Sequence, residues 1–564
     1  MFPKNGSAGS RARLSVLRSA IALSFAILLL AATASSSAYQ ASPKLVVILI
    51  IDQFRGDYLE RYHQEFGANG FRLFTDRGAY FPACYYQYAN TRTAPGHATI
   101  ATGAYSPAHG IFSNDWWDPA QKRTVTSVED SATKLIGAEV EGIGSSPHNL
   151  LAGTLGDELR LATQGQSRVY GIALKDRSAI LSTGYSANGA FWIDPDNGAW
   201  LTSTYYMSAP PRWLLAFNGQ DSAKKYLNLE WKDTDGTLLA STAPHNFDNG
   251  KPVPYFQLVG STPFGNDYEF DFARELIQQE KLGYGAVTDL LVISLSANDI
   301  LGHMSGPDAP EMRAMALALD RQIGDFVTFL GQQYGQGQFW VVLTADHGIA
   351  PLHATDKHLN LPAQSPSSSD LRARLNTDLS ARLRKQGEYI RSVSYPIVFV
   401  NSEAFPPNVS EAEAETHVAE AMKSSGFLAA FTKEQMGNGE LPPTPLGHLY
   451  LNSYSPYGGA WVMGVPAPFS YVAAGIDIAN HGAPYSYDQH VPLAFYGSAF
   501  KPGVYRDQVE PIDLAPTLAV TLGINKPTSS SGRVLTEAIA QRSRSDETGP
   551  PVPPKPRVSK ESHP

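Results

Sequence analysis

The sequence predicts an α/β fold, a doubly wound and mostly parallel sheet with inserted cap segments. Three features carry this reading: continuous apolar, β-branched runs suited to strands covered on both faces, helical patterns between them, and acidic or imidazole residues directly after the runs. Lys44 to Ile51 is the first run and ends in Asp52. Leu290 to Leu295 leads into Asp299, and Phe339 to Leu343 leads into Asp346 and His347. Two more strands are expected from Arg168 to Leu174, before Lys175, and from Val491 to Tyr496, after His481. Between Pro310 and Leu330, apolar residues recur at Met312, Ala316, Leu319, Ile323, Phe326 and Leu330, a spacing of three or four that gives one buried helical stripe. Open α/β sheets bind ligands beyond the carboxyl ends of their strands, so function is expected at that edge.

Bulk properties narrow the choice of function. The 564 residues are 43% hydrophobic and 17% charged, which suits a soluble chain with one elaborated core. A net charge of −9, from 53 acidic and 44 basic residues, argues against a nucleic-acid-binding surface. The 27 Tyr and 8 Trp are read mainly as core, with some left to line a cleft. Lys4, Arg11, Arg13 and Arg18, the apolar stretch Ile21 to Leu30 and the small residues Ser36, Ser37 and Ala38 read as a signal peptide over residues 1–38. The expected destination is the periplasm or the medium, without an integral membrane span. Cys84 is the only cysteine, so no intrachain disulfide forms. The catalytic domain is expected over 39–540, with cap insertions at about 180–285 and 365–471 where periodicity gives way to Trp, Tyr, Asn, Gly, Ser and Pro. Residues 541–564 read as a disordered proline-rich tail.

Chemistry enters through the residues at the strand ends. Asp299 and His303 are four apart, so on one helical turn they point the same way and can grip one ion. Asp346 and His347 stand side by side before Gly348, and His481 supplies a further imidazole. With Asp52 these make three Asp and three His, enough for two sites of mixed nitrogen and oxygen ligands, which is zinc chemistry of the catalytic kind. Thr93 precedes Pro95 and Gly96, which suit entry into a helix beginning near His97, where amide dipoles favour an anion. Lys175 and Arg177, one residue apart in an extended segment, would point to one side.

Taken in order, Asp52, Thr93-x-x-Gly96-His97, Asn114, Lys175-x-Arg177, Asp299-x-x-x-His303, Asp346-His347 and His481-Gly482 resemble the alkaline phosphatase superfamily, with the exported bacterial PafA-type phosphomonoesterases as nearest likeness. The resemblance runs from about Lys44 to Ile524 and includes the helix around Pro511 to Leu518. It implies two zinc ions per chain. Asp299, His303 and His481 would hold one, and Asp52, Asp346 and His347 the other, with Thr93 completing its shell. His490 competes with His481 for the last ligand position, and His481 is preferred because it sits in a His-Gly turn before the final core strand. The resemblance further implies that Thr93 is the nucleophile and becomes transiently phosphorylated, while Asn114, Lys175 and Arg177 hold the phosphate oxygens. The expected activity is broad hydrolysis of small phosphate monoesters. The alternatives are a phosphodiesterase or nucleotide pyrophosphatase of the same superfamily, and a catalytically inactive zinc-binding recognition protein. The oligomeric state is left open, with a monomer favoured.

Overall fold

The seven aliphatic residues of strand β1 (Leu45–Ile51) are all buried, and they lie in the interior of a sheet that has eleven strands among the described residues. The computed structural model describes residues 43–140, 142–352, 365–472 and 477–540. The expected signal peptide and proline-rich tail lie outside the described residues. The elements that build the site follow β1 in chain order: β2 (Ala79–Tyr85), α1 (Thr93–Thr102), β3 (Val169–Ala173), α2 (Asp176–Leu181), β4 (Gly189–Ile193), β5 (Trp200–Ser203), α3 (Pro263–Gln279), β6 (Asp289–Leu295), α4 (Ala297–Ser305), α5 (Pro310–Tyr334), β7 (Phe339–Thr344) and β8 (His490–Tyr496).

The central part of the sheet has the order β2-β8-β7-β1-β6-β3-β4-β5. Its inner five strands, β7 to β4, are parallel, as their continuous apolar runs require. β8 pairs antiparallel with β7 and with β2, so the sheet is mixed at that side. α5 packs its stripe inward: Met312, Ala316, Leu319, Ile323, Phe326 and Leu330 are all fully buried, each side chain larger than alanine contributing about 1.5–3 kcal/mol of apolar burial.

Within 180–285, β4 and β5 lengthen the central sheet and α3 packs on the main core, while Glu230–Lys232 and Leu238–Ser241 form a separate two-stranded piece. Within 365–471 a second, antiparallel four-stranded sheet has its own apolar cluster under the helices Ser368–Leu383 and Glu411–Ser424.

Helix α1 begins at Thr93, four residues before the expected start near His97. Pro95 lacks an N–H, but the first turn of a helix has no internal use for that donor, so the proline fits there. Gly96 serves a different need. A Cβ at this position would lie 2.5 Å from the Asp346 carbonyl oxygen and 2.9 Å from its Cα, so the helix can rest on that main chain only without a side chain. Gly96→Ala is therefore expected to lower unfolding stability by about 1–3 kcal/mol, read as a shifted denaturant midpoint; an unchanged midpoint would contradict this close packing.

Candidate active site

Register decides where the polar residues emerge. Ile51 pairs with Leu295, Ile50 with Thr344 and Ser294 with Ala173. Asp52, Asp346 with His347, the start of α4 and Lys175 therefore leave the sheet at one edge. α4 turns Asp299 and His303 to the same side, with His303 Nε2 3.2 Å from Asp299 Oδ1. His481 comes from the loop before β8, its Nε2 3.8 Å from the same oxygen. His347 Nε2 lies 3.5 Å from both Asp52 Oδ1 and Asp346 Oδ2. The result is two triads, Asp299/His303/His481 and Asp52/Asp346/His347, each with ligand atoms within 4.8 Å of one another. They adjoin: the His347 and His481 rings stack at 3.7 Å, and Lys175 Nζ lies 2.5 Å from both Asp52 Oδ2 and Asp299 Oδ2.

The donor set fits metal ions. Each imidazole gives Nδ1–H to a backbone carbonyl: His347 to Gly348, His303 to Ala479 and His481 to Thr91, at 2.9, 2.9 and 2.7 Å. That fixes the tautomer and leaves every Nε2 lone pair facing the pocket, the arrangement that orients histidine ligands. Asp52 Oδ1 and Asp346 Oδ2 are buried acceptors with no hydrogen-bond partner. Burial pushes the Asp346 carboxyl well above the usual carboxylate range, and the Asp52 charge pushes the same way. Burial holds His347 down to about 3, hence neutral. On His303 burial is the largest single influence and acts downward, but the Asp299 charge and hydrogen bond, with the Asp477 charge and the Ala479 carbonyl, together outweigh it and lift the imidazole to about 9. Divalent cations here would offset the carboxylate repulsion and displace the imidazole proton.

Thr93 is buried at the first position of α1, its Oγ1 3.5 Å from His347 Nε2. Asn114 Oδ1 accepts the Ala94 N–H at 2.8 Å, which leaves its NH₂ as a donor. Lys175 and Arg177 do not share an extended segment as expected: Lys175 is the extended N-cap of α2 and Arg177 already lies in the helix. The strand ends before Lys175, and Asp176 starts the turn. Both cations nonetheless line one cavity, and Arg177 Nε is a buried donor without a partner. His490 is turned away; its Nε2 lies 2.7 Å from the Pro82 carbonyl and its ring stacks on Tyr85.

The description "Type I phosphodiesterase / nucleotide pyrophosphatase" matches residues 46–433 as a family pattern. The chain belongs to this family. Within its wider alkaline phosphatase superfamily, the chain is 32% identical to alkaline phosphatase PhoV of Synechococcus elongatus, over 88% of this chain and 93% of that protein. A Myroides odoratus protein named a calcium-transporting ATPase is 34% identical over 88% of this chain and 95% of its own length. The crystal structure of alkaline phosphatase PafA superposes with a TM-score of 0.79 at 28% identity, covering 88% of this chain and 99% of that one.

Four residues of this family member escaped the reading of its sequence. Gln53, at a left-handed φ of 64°, donates from its backbone to Asp346 Oδ1 at 3.0 Å and from its side chain to Asp299 Oδ1 at 2.7 Å, tying the triads together. His97 bridges the Thr93 carbonyl and Ser294 Oγ, both at 2.8 Å, and burial keeps it neutral by lowering it to about 4. Asn298 donates to the Asp52 carbonyl at 2.9 Å. Glu269 of α3, fully buried, accepts the Leu174 N–H at 2.9 Å and the Ser296 N–H at 3.4 Å. Only His97 left a trace, as part of the Thr93-x-x-Gly-His pattern. The geometry sets up a contrast between the two histidines near β8: His481→Ala should lower bound metal per folded chain, measured by elemental analysis, whereas His490→Ala should not, and the reverse result would move the ligand.

Proposed function

We propose that the chain hydrolyses phosphate monoesters through a phosphothreonine at Thr93, at a centre of two zinc ions held by Asp299, His303 and His481 and by Asp52, Asp346 and His347. The chain is a hydrolase of the alkaline phosphatase class, as its near full-length relatives PhoV and PafA are. An ATPase also cleaves at phosphorus, so the name of the Myroides relative agrees with this chemistry. The observation that carries the finer reading is a helix-terminal hydroxyl, Thr93 Oγ1, beside His347 in a pocket that joins both triads.

Bound there, the ions supply Lewis acidity and positive charge at phosphorus. The chain's own residues do the rest. Thr93 Oγ attacks phosphorus while the ester oxygen leaves, giving a phosphothreonine and an alcohol; water then cleaves the phosphothreonine, releasing phosphate and restoring the hydroxyl. His97 holds the Thr93 carbonyl, and so the hydroxyl's position, and Gln53 fixes a carboxylate of each triad. Lys175, Arg177 and the Asn114 amide face the nonbridging oxygens. A monoester brings a dianion to these two cations and a diester only a monoanion, so monoesters are preferred and diesters cleaved more slowly.

Export to the periplasm or medium belongs to the same proposal, on the strength of the signal-peptide pattern over residues 1–38; among the described residues no helix is long and apolar enough to cross a membrane. Phosphate release from a panel of monoesters and diesters, with and without chelator, tests the activity; release that survives complete metal removal would refute it. Thr93→Ala is expected to abolish steady-state turnover while zinc content stays at the wild-type level, and undiminished turnover would remove Thr93 from its role. Lys175→Ala combined with Arg177→Ala should slow monoesters by on the order of 10²- to 10³-fold and diesters far less; equal losses would refute the charge argument.

A further inference from the structure

We propose that the cavity beside Lys175 and Arg177 is a subsite for an uncharged aromatic group, which makes aryl phosphates the favoured substrate class. The inference rests on the monoesterase reading above and names the substrate that reading leaves open. The cavity has a volume of about 320 Å³, the size of a small-molecule site. Lys175 and Arg177 form its cationic end, and Trp192, Ile193, Leu201 and Phe256 are its principal apolar walls.

The sheet explains why the walls stand there. β4 runs parallel to β3, with Tyr170 opposite Gly189 and Ile172 opposite Phe191, so Trp192 and Ile193 reach the same carboxyl edge as Leu174 and Lys175. Lys175 belongs to both places: it lines the cavity, and its Nζ lies 2.5 Å from Asp52 and from Asp299. A phosphoryl group held by Lys175 and Arg177 thus has an apolar chamber within one side chain's reach.

The lining selects among ester groups. Two aromatic walls favour a ring face, and burying a ring against them is favourable in proportion to the apolar area covered. A sugar could give hydroxyls to Asp176 or Asp194, but those set against Trp192, Leu201 and Phe256 would lose their partners. A polyphosphate or carboxylate would meet Asp176 and Asp194, which also line the cavity and whose carboxylates already accept the backbone N–H groups of Arg177 and Asp196.

Isothermal titration of the zinc-loaded chain with phenylphosphonate and methylphosphonate, both uncleavable dianions at alkaline pH, reads this subsite without turnover. Phenylphosphonate is expected to bind about tenfold tighter. Phe256→Ala and, separately, Leu135→Ala alter half-buried wall positions; each should remove most of that difference while leaving methylphosphonate within about twofold of wild type. Equal affinities in the wild-type chain, or variants that weaken both ligands alike, would overturn the subsite and leave the phosphatase reading standing. Failure of both phosphonates to bind would instead remove the phosphoryl site, and the subsite with it.

Discussion

Three carboxylates, Asp52, Asp299 and Asp346, share one pocket that is almost closed to water, with exposures of 0%, 3% and 0%. Charges so placed repel one another and lose their hydration, so the fold must supply positive charge at close range. Much of the surrounding structure answers that need. Lys175 is drawn between two of the carboxylates; burial would lower its pKa, but Asp299 and Asp52 outweigh that and raise it. Three imidazoles are pinned by carbonyls so that their free nitrogens face inward, and Gln53 accepts a strained backbone to donate to two acids at once. The parallel register of β1, β6 and β7 brings the acids together, and the nucleophile candidate is held against them by α1 resting on the Asp346 main chain.

The second sheet is tied to this pocket through Arg92. The residue is the N-cap of α1, one position before Thr93, and is half-buried; its guanidinium donates to the Tyr395 carbonyl in the hairpin between Ile390–Ser394 and Ile397–Val400, and Nε donates to Asn90 Oδ1 at 3.1 Å. The same hairpin approaches from Ser394, whose hydroxyl lies 3.2 Å from Asp115 Oδ1, next to Asn114. The segment 365–471 therefore contacts the residue before Thr93 and the residue after Asn114, and changes in that lobe have a direct route to the position of the hydroxyl.

Much of the site was legible in the sequence because its grammar is local. A buried strand announces itself as a β-branched run, so Asp52, Asp346 and His347 could be placed at strand ends, and the four-residue spacing of Asp299 and His303 is a helical signal by itself. What could not be read depends on contacts made across the fold. The start of α1 at Thr93 follows from a glycine lying on another element's backbone, and the helical place of Arg177 from where β3 happens to stop. Gln53 matters because of a positive φ that nothing in its neighbours demands. Glu269 sits in a stretch whose strand and helix periodicities are masked by aromatic and polar residues, and its role appears only where α3 crosses behind Leu174 and Ser296. His490 and His481 are alike in composition and separate only by direction, one toward Pro82 and the other toward Asp299.

Zinc-edge anomalous diffraction from crystals of the zinc-loaded chain tests the central claim most directly. The account predicts two ions per chain, one against Asp299, His303 and His481 and one against Asp52, Asp346 and His347 beside the Thr93 hydroxyl. Anomalous peaks at other residues, or none in a chain that still releases phosphate, would contradict it.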